Sequence, residues 1–66
     1  MNVTVRGVPF SVQINATGAF NNEGESRKEV LITNLITSDT AIYETYEALQ
    51  DSEEVAEFVS LKTLKS

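Results

Sequence analysis

The sequence predicts an α+β fold: a small antiparallel or mixed sheet of three to four strands, opened by an N-terminal β-hairpin and packed by one helix plus a short second helix. Three patterns carry this expectation. Apolar and polar residues alternate from Val3 to Ile14, with a change of parity at Arg6-Gly7; Val30-Leu31-Ile32 is an unbroken apolar run; and beyond Thr37 apolar residues recur at helical spacing behind cap-forming residues.

The parity change is what a two-residue turn produces. With Arg6-Gly7 as the turn, Val5 faces Val8, Val3 faces Phe10 and Met1 faces Val12, so every large apolar side chain falls on one face of the hairpin. Gly7 supplies the positive φ that such a turn requires. Pro9 falls opposite Thr4 at a non-hydrogen-bonded position, so its missing N–H leaves this ladder intact and weakens pairing on the other side of the second strand.

From Asn15 to Ser26 the chain is rich in Gly, Asn, Ser and Glu and reads as a long loop, whose one large apolar residue, Phe20, either anchors it to the core, the favoured reading, or stands exposed as a contact. Glu29 to Asn34 reads as a central strand, because the run Val30-Leu31-Ile32 suits a strand covered on both faces. Thr37-Ser38-Asp39 offers a helix N-cap, and Ile42, Tyr46 and Leu49 then fall at i, i+4 and i+7, which predicts a helix over 39–50. A second cap signal at Asp51-Ser52, with Glu53 and Glu54 in the first turn and Val55, Phe58 and Val59 on one face, predicts a short second helix. The period-two pattern of residues 59–64 reads as a last strand.

Sixty-six residues form one small domain, 1–66, with a thin core. A chain of this size buries only about 60% of the surface its unfolded form exposes, so a second subunit or a partner gains weight as a source of stability. The chain has no Cys and no His, which removes disulfides and the usual ligands of structural zinc. The same absence removes the usual base and the reactive thiol of nucleophilic catalysis. Gly7, Gly18 and Gly24 are scattered and form no phosphate-binding loop. The stretch Asn21-Asn22-Glu23-Gly24-Glu25 lacks the alternating acids and terminal bidentate Glu of a calcium loop. No cofactor, metal or enzymatic activity is expected.

No signal sequence and no membrane-spanning run is legible, so a cytoplasmic location is expected, in a bacterial host if the chain is phage-encoded. The Asn2-Val3-Thr4 and Asn15-Ala16-Thr17 sequons then carry no meaning, since glycosylation needs a secretory context.

The net charge is −5, and its distribution is uneven. Asp39, Glu44, Glu47, Asp51, Glu53, Glu54 and Glu57 lie in one segment without a Lys or Arg, whereas Arg6, Arg27, Lys28, Lys62 and Lys65 form no cluster of the density that nucleic acid requires. Direct nucleic-acid binding is therefore not expected. On a helix over 39–50, Glu44, Glu47 and Asp51 lie opposite the apolar stripe, in water, where carboxylate catalysis has neither pKa tuning nor an enclosed substrate. A helix that only solvates its polar face mixes signs, because like charges at i, i+4 repel by a few tenths of a kcal/mol. The one-sign segment thus points to a surface for a basic protein partner, in the manner of the inhibitors and nucleic-acid mimics that phages and mobile elements carry. Its expected contacts are Asp39, Tyr43, Glu44, Glu47, Asp51, Glu53, Glu54 and Glu57, with Tyr43 between the apolar and acidic faces as an aromatic contact and Tyr46 inward. The alternative is a small structural protein that completes its core as a homo-oligomer, a homodimer in the simplest case, through a strand edge or the face bearing Leu31.

Overall fold

In the computed structural model, which describes residues 1–64, the turn at Arg6-Gly7 folds β1 (Asn2–Val5) onto β2 (Val8–Phe20). Arg6 and Gly7 have φ of 51° and 78°, the paired positive values of a type I′ turn, whose twist matches that of the strands it joins. The register is the one the parity change requires: Val5 with Val8, Thr4 with Pro9 and Val3 with Phe10. Met1 extends it, exchanging backbone bonds with Val12 at 2.6 and 2.8 Å. Pro9 lies one residue beyond Phe10–Asn34, the outermost pair of the next ladder, so its missing N–H costs that ladder no interior bond.

β2 runs on through most of the segment whose composition reads as a loop, and pairs with β3 (Ser26–Asn34). Only residues 21–25 turn. Asn21 closes this turn alone: its Oδ1 accepts from the Glu23 and Glu25 N–H groups at 2.9 Å each, and its Nδ2 donates to Glu25 Oε1 at 2.9 Å. Between the Ala16–Lys28 and Phe20–Ser26 pairs the ladder bulges. Gly18, at φ 84°, turns the chain there, and the Thr17 hydroxyl donates to the Arg27 carbonyl and accepts from the Ala19 N–H. The weak strand propensity of Ala16 to Phe20 is thus overridden by pairing with β3. Phe20 anchors nothing; it stands 66% exposed near the end of the resulting two-stranded arm.

β4 (Thr40–Thr45) completes an antiparallel sheet of order β1-β2-β3-β4. The helix expected over 39–50 does not form. Thr40, Ile42, Tyr43 and Thr45 are β-branched or aromatic, and β3 offers them a ladder from Lys28 to Thr33. The cap-like Thr37-Ser38-Asp39 is the end of a turn, in which Asn34 Oδ1 accepts from the Ile36 and Thr37 N–H groups and Ser38 takes φ 65°. After Thr45, the strand ends where the Thr45 hydroxyl accepts from the Glu47 N–H at 3.0 Å.

One helix, α1 (Ser52–Thr63), crosses one face of the sheet, and no second helix is present among the described residues. It starts at the second cap signal: Asp51 is the N-cap, with Oδ1 2.9 Å from the Glu54 N–H. Replacing Asp51 by Ala is expected to cost about 1 kcal/mol, read as a fall of roughly 4–8 °C in thermal midpoint. Residues 59–64, expected as a strand, continue the helix to Thr63, where the apparent period of two joins Val59, buried in the core, to Leu61, which is 65% exposed. At this end Arg6 reaches over from the hairpin turn and donates to the Ser60 and Thr63 hydroxyls.

Val55, Phe58 and Val59 of α1 close on Val3, Val5, Phe10, Val12, Val30 and Ile32, which makes one thin core between helix and sheet. Among the described residues, nothing covers the other face of the sheet. Leu31, expected to be enclosed on both sides, is half-buried on that face, in a row with Gln13 and Ile42. The fold class is α+β as expected, with the sheet wholly antiparallel.

Candidate functional site

The acidic residues that are contiguous in sequence reach three separate places. Asp39 precedes β4 and Glu47 follows it, so they sit at opposite ends of a six-residue strand, roughly 20 Å long. Glu44 points to the uncovered face of the sheet, where it pairs with the Arg27 guanidinium. The hydrogen bond to Glu44 is the main reason the Arg27 pKa is raised above its ordinary value. Glu44 is therefore paired on the open face, with Glu29 across from it, and stands apart from the other acids of the expected contact surface.

Asp51, Glu53, Glu54, Glu57 and Glu47 stay together around the N-terminal half of α1. Asp51 is engaged as the cap, and Glu53 and Glu54 lie in the first turn, where the helix dipole favours negative charge. Glu54 and Glu57 are three residues apart on one side of the helix. Together with Glu47 on the loop after β4 they border a shallow groove of about 110 Å³, floored by Leu49, Phe58 and Leu61. Glu47 is held there by its own loop, since its Oε2 accepts from the Thr45 hydroxyl at 3.3 Å.

The cations lie elsewhere. Arg6 is on Ser60 and Thr63, Lys28 is on the Ser26 carbonyl, and Lys62 sits 5.4 Å from the Phe58 ring centroid and 5.7 Å from that of Tyr43. Among the described residues, Arg27–Glu44 is the one ion pair. Lys65 lies outside the described residues.

The strand places both tyrosines differently from the expected helix. On a strand the period is two, so Tyr43 turns toward α1 and meets Phe58 edge-to-face, with centroids 6.3 Å apart and planes at 81°. Tyr46, expected inward on a helix, is 40% exposed. Tyr43 is thus a packing residue and is withdrawn as an aromatic contact. A second hollow, about 300 Å³, lies at the other end of β4 between Phe10, Ile32, Ala41, Tyr43 and Thr63, with Asp39 on its border. Leu49 and Leu61, which make the acidic groove partly apolar, are lining residues that sequence reading missed. Leu61 carries a signal only in its i, i+4 spacing to Glu57 and i, i+3 spacing to Phe58, which identifies neighbours once the helix is placed over 52–63, and Leu49, before the helix, carries none.

Fold and surface together define a small α+β domain: a four-stranded antiparallel sheet with a helix on one face and a carboxylate-bordered groove beside that helix. No family model matches this chain, and no curated protein or solved structure matches it either. Among the described residues, no helix is long and apolar enough to cross a membrane, and no group of three or more acidic side chains is placed to hold a metal ion.

Proposed function

We propose that this chain is a non-enzymatic binding module whose acidic groove docks on a basic surface of another protein. The supporting observation is the convergence of Glu47, Glu54 and Glu57 on an apolar floor while the cations of the described residues are engaged elsewhere. A partner that places Lys or Arg against the carboxylates and lays the aliphatic stem or a neighbouring apolar side chain on Leu49 and Leu61 gains both contacts at once. The unbalanced charge speeds its approach, and rejects acidic competitors. The reading is that of an inhibitor or nucleic-acid mimic, whose carboxylates take the place of phosphates against a basic surface.

The contact set proposed from the sequence narrows accordingly to Glu47, Glu54 and Glu57, with Asp51 and Glu53 adding to the field. The test is capture of proteins from bacterial lysates on the immobilised chain, compared with the variant carrying Glu47→Lys, Glu54→Lys and Glu57→Lys. Capture is expected to fall at least about tenfold in the variant, for a change near 1.4 kcal/mol. For the parent chain it is expected to fall as the Debye length drops from about 10 Å at 0.1 M salt to about 3 Å at 1 M. All three carboxylates are solvent-exposed or at a border, so the variant is expected to keep its fold, checked by circular dichroism. Equal capture by a folded variant rejects the proposal.

A further inference from the structure

The sheet has two edges, and they differ. On the β1 side the edge is stepped: β1 is four residues long, and farther along β2 the ladder with β3 is broken by the bulge at Ala16 to Phe20. Short, stepped and bulged edges are the usual protection against pairing with another strand. β4 has none of these. Its ladder with β3 runs without a shift from Thr33–Thr40 to Lys28–Thr45, and Thr40-Ala41-Ile42-Tyr43-Glu44-Thr45 contains no Pro, Gly or Lys.

The hydrogen-bonding parity of this edge follows from two bonds at the base of the ladder. Asn34 N–H donates to the Asp39 carbonyl at 2.8 Å, and Leu35 N–H donates to the Pro9 carbonyl at 3.0 Å. Alternate residues of β3 therefore serve opposite neighbours, and Ile32–Ala41, Val30–Tyr43 and Lys28–Thr45 are the hydrogen-bonded pairs. The N–H and C=O groups of Thr40, Ile42 and Glu44 consequently point away from the sheet.

We infer that β4 pairs antiparallel with β4 of a second copy of this chain, about a two-fold axis at Ile42, to make one continuous sheet across two subunits. The strand is self-complementary in this register. Ile42 exchanges both backbone bonds with Ile42 of the second copy, and Thr40 does so with Glu44, each outward group meeting its counterpart. On the uncovered face the two Ile42 side chains, each 62% exposed in the single chain, meet and extend the Leu31 rows into one apolar band. On the helix face, Ala41 lies across from Tyr43 of the second copy, while each Tyr43 packs on Phe58 of its own α1 and Ala41 is exposed.

Local charge does not oppose this occupant. Glu44 is the one charged side chain of β4, it faces a Thr40 hydroxyl across the axis, and it is paired with its own Arg27. The axis therefore sets no two β4 carboxylates opposite each other, which would be destabilising. The remaining repulsion between two chains of net charge −5 is long-ranged, so added salt strengthens this contact. That is the reverse of the salt response expected for capture of a basic partner, and it keeps the two proposals separable.

Sedimentation over about 1 µM to 1 mM protein, spanning the affinities of weak specific pairs, is expected to show a monomer–dimer equilibrium that shifts toward dimer with salt. Amide exchange read by NMR is expected to show protection of Thr40, Ile42 and Glu44 that grows with concentration, while Ala41, Tyr43 and Thr45, already bonded to β3, stay constant. Ile42→Lys, at an exposed site, is expected to weaken dimerisation at least about tenfold, a change near 1.4 kcal/mol, with its circular dichroism spectrum unchanged. Thr4→Lys on the opposite edge is expected to leave it unaltered. A monomer at every concentration overturns the inference, and so does a dimer whose Thr40, Ile42 and Glu44 amides gain no protection.

Discussion

Phe58→Ala is expected to abolish most of the cooperative unfolding transition of this chain at 25 °C. Phe58 is 4% exposed, stacks edge-to-face on Tyr43 and lies under the Lys62 ammonium, so it joins α1 to the edge of the sheet that β1 does not reach. Truncating a buried Phe to Ala costs about 3–5 kcal/mol. A core this size rarely supplies more than about 3–5 kcal/mol in total. The two magnitudes are equal within their spread, which is why one side chain decides the outcome. Urea denaturation followed by circular dichroism reads it directly: the parent chain is expected to give a sigmoidal transition, and the variant a sloping baseline. A variant that keeps its midpoint would show that the helix is held to the sheet by something other than this contact.

Ile32→Ala and Ile42→Ala are expected to differ by at least about 2 kcal/mol, although both residues are isoleucines on neighbouring strands. Ile32 is 3% exposed beneath α1, and its truncation leaves a cavity in a core with little other material to collapse into it, at a cost of about 2–5 kcal/mol. Ile42 is 62% exposed on the uncovered face, where substitution is expected to change stability by no more than about 0.5 kcal/mol. At low protein concentration, where the single chain dominates, Ile32→Ala is read as a steep fall in urea midpoint or loss of the transition, and Ile42→Ala as a midpoint close to that of the parent chain. Equal losses at the two sites would mean that the outer face is also a packed face.

The elements that were legible in the sequence are those specified by neighbours in the chain. The type I′ hairpin follows from the parity change around Arg6-Gly7, because a two-residue turn admits one register. The start of α1 follows from Asp51, whose carboxylate reaches an N–H three residues on, with Glu53 and Glu54 in the first turn. β3 follows from Val30-Leu31-Ile32, although its outer side proved open.

The misreadings share a cause. Between Thr37 and Leu49 the spacing of Ile42, Tyr46 and Leu49 fits a helix as well as the alternation of Ala41, Tyr43 and Thr45 fits a strand. The strand wins because β3 is already held by β2 and presents an unpaired edge that a helix would leave unused. At Ala16 to Phe20 the composition of a loop becomes a strand for the same reason, with Asn21 confining the turn to residues 21–25. Changing 40–45 from helix to strand moved Tyr43 inward and Glu44 onto Arg27, and it separated Asp39 from the other acids.

The sequence by itself determined the α+β class, the opening hairpin and its register, the helix start at Asp51, and a surplus of carboxylates in the second half of the chain. These depend on backbone conformation and contacts a few residues apart, which local side chains control. Tertiary structure alone decided which carboxylates share a groove and which one is paired, and which face of the sheet stays open beside an unprotected strand. Those outcomes depend on β3 recruiting β4 and on α1 closing over β1, pairings between segments far apart in the chain whose energies no local pattern contains.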